Sequence, residues 1–140
     1  PRIFVTRLID VMNRHGQARA TFNRILDDVH AGTLSPQAGA ARIRADIVPS
    51  RRAALAAVTA LAAPRDLQRL RGLAIRAYEL SIRAGEATAG HLAAGGMPTN
   101  DPNSPLHVEA TRVKDTLLSG LAQRGRALGV DVPPARALWP

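Results

Sequence analysis

Cysteine is absent from the 140 residues. That removes disulfides, thiolate nucleophiles and cysteine-ligated metal centres, and it leaves the redox compartment open. Aromatic residues are confined to Phe4, Phe22, Tyr78 and Trp139. Any core must therefore be aliphatic, and the stacking platforms of single-strand nucleic-acid binders are missing. Lys114 is the one lysine in a chain rich in arginine. No apolar run reaches the roughly 18 residues of a bilayer span; the longest, AALAAVTALAA at 53–63, has the length of a buried helix. The expectation is a soluble domain, cytoplasmic or of the bacterial envelope. Because the chain begins at Pro1, a leader, anchor or larger protein before it stays open.

Catalytic signatures are missing as well. There is no Gly-x-Ser-x-Gly, His-Glu-x-x-His or Gly-x-x-x-x-Gly-Lys. Glu79 and Glu86 lie on one helical stripe with Arg69, Arg76 and Arg83, an arrangement expected to give solvated ion pairs rather than paired catalytic carboxylates. No Glu-x-x-His pair is present for a di-metal bundle site. His30, His91 and His107 fall near expected helix ends, away from mid-helix His15, although His91 and His107 flank one loop and can approach each other. No enzyme, metal or cofactor is expected.

What is present is positive charge and helical periodicity. The net charge of +8 is spread as +2 over 1–30, +3 over 31–62, +2 over 63–96 and +1 over 97–140, so no segment is a basic tail. The densest group, Arg42, Arg44, Arg51 and Arg52, has only Asp46 nearby, and a second row runs Arg65, Arg69, Arg76, Arg83. Arginine's forked donors suit carboxylate and phosphate, so the first group is the candidate partner-binding surface.

Phe4, Leu8, Val11, His15, Ala18, Phe22, Ile25 and Val29 form a four-three alternation, the seam of one long helix. Gly32 then suits a left-handed helix stop, and Ser35-Pro36 supplies an N-cap and first-turn proline. A second helix is expected over 36–62, kinked or broken near Pro49, whose ring does not fit a regular helix interior. A third is expected over 65–94, with Leu70, Leu73, Ala77, Leu80, Ala84 and Ala87 on one row and Ile75, Tyr78 and Ile82 on another. GGMPTNDPNSP at 95–105 reads as a loop, and 105–128 as a fourth helix burying Leu106, Ala110, Val113, Leu117 and Leu121. The expected fold is all-α, an antiparallel four-helix bundle spanning 1–128, followed by an extended tail over 129–140.

Helix-interior glycines at 16, 39, 72, 85, 90 and 120 each cost up to about 1 kcal/mol relative to alanine. Close helix approach repays that cost; so does a ligand slot. His15 and Gly16 are the candidate ligand-binding residues, against the plainer reading of His15 as a satisfied core histidine.

The stretches AGTLSPQAGAARIRADIVPSRR and LAAPRDLQRLRGLAIRAYELSIRAGEA resemble accessory helical-bundle domains that GC-rich bacteria attach to envelope or membrane proteins. The resemblance implies an interaction module beside a membrane and carries no residue role. The leading expectation is thus a non-enzymatic module that binds a protein partner or self-associates through a basic helical surface. The alternatives are a salt-sensitive binder of nucleic acid or anionic membrane, and a small-ligand or haem carrier in the bundle core.

Overall fold

The computed structural model describes residues 1–98 and 103–140; of the loop expected over 95–105, residues 99–102 lie outside the described residues. The described residues form an all-helical fold without strands. Helix α1 spans Arg2–His30, α2 Pro36–Arg42, α3 Val48–Ala60, α4 Gln68–Ala93, α5 Pro105–Leu128 and α6 Ala135–Leu138. A π-helical turn, Ile43–Ile47, joins α2 to α3 without a break, and a 3-10 turn, Arg65–Leu67, leads into α4.

Local chemistry sets these boundaries. Ser35 and Ser104 each cap a helix whose first residue is proline, accepting from Ala38 N–H at 3.1 Å and His107 N–H at 3.2 Å. Gly32 follows α1 at φ 76°, and Gly129 ends α5 at φ 66°, left-handed positions that favour glycine. Pro49 falls just after the π turn, where the Val48 N–H reaches back to the Ile43 carbonyl. A proline ring must clear the carbonyl four residues earlier, and the widened turn gives it room. The anomaly expected near Pro49 is thus a π turn inside one continuous helical run. At the end of α3, Arg71 donates from Nε to the Leu61 carbonyl at 3.0 Å and from Nη2 to that of Thr59 at 2.5 Å, satisfying carbonyls the helix leaves unpaired.

Helix α4 packs against α2, α3 and α5, while α1 packs against α2, α3, α5 and α6. Burial on α4 departs from the expected row: Ala87 is exposed and Leu73, Ile75 and Ala84 are half-buried, whereas Ala74, Ser81, Gly85 and Ala89 are buried. The small residues let neighbouring helices close in. A Cβ on Gly39 would lie 2.8 Å from a Val29 methyl, which explains glycine where α2 meets α1.

The tail expected to be extended folds back instead. Gly125 makes the reversal feasible, because a Cβ there would collide with Val132 and approach the Val130 carbonyl oxygen to 3.1 Å. Residues 135–138 then form α6, Leu138 is buried, and the Trp139 ring packs on Tyr78 at 5.0 Å between centroids.

The buried apolar side chains fall into two clusters. One joins Phe4, Leu8 and Met12 of α1 to Ala54 and Val58 of α3, Leu70 and Leu80 of α4, and Leu117 and Leu121 of α5. The other joins Ile25 and Val29 of α1 to Ala40, Ile43, Ile47, Val48, Ile82, Ala89 and Leu92.

Candidate functional site

The α1 seam shows where the two clusters part. Phe4, Leu8 and Val11 are buried at one end and Ile25 and Val29 at the other, but His15, Ala18 and Phe22 between them are only half-buried. Here a polar layer interrupts the core, built from α1, α3, α4 and the C-terminal residues. It contains a partly open cavity of about 20 Å³ lined by Met12, His15, Gly16, Ala18, Arg19, Arg51, Tyr78, Ser81, Leu138, Trp139 and Pro140. That volume takes one or two water-sized atoms. A haem has no room in it.

Arg51 dominates the layer. Only 6% of it is exposed, because it occupies the inward stripe of α3 together with Val48, Ala54 and Val58. Its Nη1 donates to the Ser81 carbonyl at 2.6 Å, and its guanidinium lies over the Phe22 ring, 4.7 Å from the centroid. Gly85 makes the notch for it, since a Cβ there would stand 2.9 Å from Nη1. Among the described residues no carboxylate pairs with Arg51 or with its half-buried neighbour Arg19. Burial, and secondarily the charge of Arg19, pulls Arg51 down to about 10, and burial also lowers Arg19. Both remain cationic at neutral pH, since a guanidinium keeps its proton in proteins.

His15 sits beside them, with Nδ1 3.3 Å from the Ser50 hydroxyl. Burial, then the charge of Arg14, lowers its pKa, favouring the neutral ring. Gly16 faces the folded-back tail: a Cβ there would touch the Ala137 carbonyl at 3.6 Å and the Pro140 ring at 3.7 Å. Tyr78 is buried and its pKa is raised by desolvation, so its hydroxyl stays protonated.

The four arginines expected to form one surface patch do not share a face. Arg51 points into the core, and Arg52 reaches across to Glu86 in an exposed ion pair. Arg42 and Arg44 are exposed, without ion pairs, two residues apart and so on different sides of the helix. Arg51 and Arg52 were grouped by adjacency, but successive helical side chains diverge by about 100°, which the burial pattern of α3 makes plain. On the Glu79–Glu86 stripe the expected ion pair forms at Glu79, while Glu86 takes a partner from α3. Arg76 binds Glu109 at 2.6 Å and Glu79 at 3.6 Å, while Glu86 is taken by Arg52. His91 is turned to the Met97 carbonyl at 2.8 Å.

His15 and Gly16 therefore do line one cavity, and Arg51 joins them there. Arg19, Tyr78, Ser81 and Trp139 are the members that sequence reasoning did not assign. Among the described residues no helix is long and apolar enough to cross a membrane. No known protein family, curated protein or solved structure matches the chain, so the reading of the site rests on its own chemistry.

Proposed function

We propose that this chain is a non-enzymatic binding module that takes a small ligand into the layer between its two apolar clusters. The observation that carries the reading is Arg51: a buried guanidinium, facing a cavity, with no ion-paired carboxylate among the described residues. A charge taken out of water without a counter-ion costs several kcal/mol, and a carbonyl and an aromatic face offset only part of that. An occupant of the cavity supplies the rest. We take the framework to be an antiparallel four-helix bundle with α2, the π turn and α3 as one member. The pairing of Arg76 with Glu109, Leu70 with Gly120 and Asp66 with Arg124 supports opposite directions for α4 and α5.

Native mass spectrometry of gently purified protein tests this reading. The expected result is retained mass that disappears in Gly16→Leu, whose side chain fills the space under the tail. Retained mass that is indifferent to this change would move the ligand elsewhere.

A second reading keeps Arg42 and Arg44 as two separate exposed contacts, on different sides of the helical run, for an acidic protein partner or a second copy that reaches around it; among the described residues neither has an ion pair. Sedimentation velocity at low and physiological salt tests the second-copy form: a dimer lost in Arg42→Glu/Arg44→Glu supports it, and an unchanged monomer removes it.

A further inference from the structure

The chemistry of the layer names a ligand class; this step rests on the pocket reading above. Three features of the cavity bear on it. Charge comes first: Arg51 and Arg19 both line the cavity, Arg51 spends one donor on the Ser81 carbonyl, and among the described residues no carboxylate pairs with either. A guanidinium carries five N–H donors in a planar fork that matches two oxygens held in one plane. Size comes second. About 20 Å³ admits one or two water-sized groups, the size of a carboxylate's two oxygens, so the remainder of a ligand lies in the open mouth of the cavity. The third feature is the wall. Met12, Leu138, Trp139 and Pro140 line the same cavity and offer an apolar surface to a short carbon chain.

We infer that the layer between the two clusters binds a small monocarboxylate, with its carboxylate held by Arg51 and Arg19 and its apolar body laid against Met12, Leu138 and Trp139. The folded-back tail forms part of the site, since residues 138–140 line the cavity and the tail crosses α1 at Gly16, where a Cβ would lie 3.6 Å from the Ala137 carbonyl oxygen. Binding to the folded state alone raises the unfolding temperature in step with ligand concentration.

The test uses butyrate and its neutral isostere butyramide, with inorganic phosphate as a third probe. Unfolding temperature is followed at constant ionic strength and pH, in the parent, Arg51→Met and Arg19→Gln. The expected result is a dose-dependent rise with butyrate, none with butyramide or phosphate, at least a tenfold loss of apparent affinity in Arg19→Gln and no rise in Arg51→Met. Arg19 is half-buried and makes no hydrogen bond among the described residues, so Arg19→Gln keeps the test decisive even where Arg51→Met folds poorly. Equal rises with butyrate and butyramide would overturn the carboxylate assignment while leaving the pocket reading intact. A rise with phosphate exceeding that with butyrate overturns the choice of a planar carboxylate with an apolar body. No rise with any probe overturns the ligand class, and the retained mass in the native spectrum then judges the pocket reading on its own.

Discussion

The cluster around Leu80 and the layer around Arg51 are built from the same helices by different rules. Leu8, Leu80 and Leu117 are wholly buried among apolar neighbours from α1, α4 and α5. Two to three turns further along α1, His15 and Arg19 turn toward a cavity together with Ser81 of α4 and Arg51 of α3. Apolar packing of the first kind stabilises wherever it occurs. Burying an unpaired guanidinium does not, and the proposed binding function is what would account for the second region. Within one small domain, the place where the core stops being optimal marks the site.

The largest expected effect belongs to the dry cluster. Leu80→Ala removes a fully buried side chain and should lower stability by about 2–5 kcal/mol in urea denaturation. A loss below 1 kcal/mol would show that this cluster is no better packed than the layer. Next is Gly125→Ala, which forces Val132 off α5. A loss of about 1–3 kcal/mol is expected, together with a change in the fluorescence of Trp139 as the tail leaves Tyr78. Smaller again is a contrast among glycines of α4. Gly90→Ala meets nothing within 4 Å and should stabilise by up to about 1 kcal/mol. Gly85→Ala presses on the Arg51 guanidinium and should forfeit that gain. Two equal gains would mean that Arg51 is loosely held.

The smallest effect is that of pH on His15. Its pKa in the fold lies below the ordinary 6.5, so between the folded value and 6.5 the unfolded chain binds the extra proton. Stability from the neutral ring is then fully present above 6.5 and is lost as the pH falls toward the folded value. Comparing His15→Gln with the parent across pH 5 to 8 should show a shallower acid-side slope in the variant; parallel curves would mean that His15 is as well solvated folded as unfolded.

Much of this architecture was legible from spacing. The α1 seam, the Ser-Pro helix starts, the glycine stop at Gly32 and the disturbance at Pro49 each follow from short-range rules, and each is present in the fold. The tail was not legible, because its course depends on Gly125 meeting Val132, a contact no periodicity encodes. The site was legible in part. His15 and Gly16 stand out as a polar and a small residue on an apolar seam. Arg51 carried the same signal, lying on the Val48–Ala54–Val58 stripe, but its neighbours in sequence drew it into a surface patch. Arg19, Tyr78, Ser81 and Trp139 join only when four elements meet, and three-dimensional packing alone brings them together.

The most direct test of the central claim, that Arg51 is retained for binding rather than for stability, is the unfolding free energy of Arg51→Met without added anions. Met fills much of the arginine stem's volume and brings no charge, and the Ser81 carbonyl stays within the regular run of α4. The account predicts a variant within about 1 kcal/mol of the parent, or more stable than it. A loss of about 3 kcal/mol or more would contradict it, making Arg51 a structural clamp that ties α3 to α4 and Phe22.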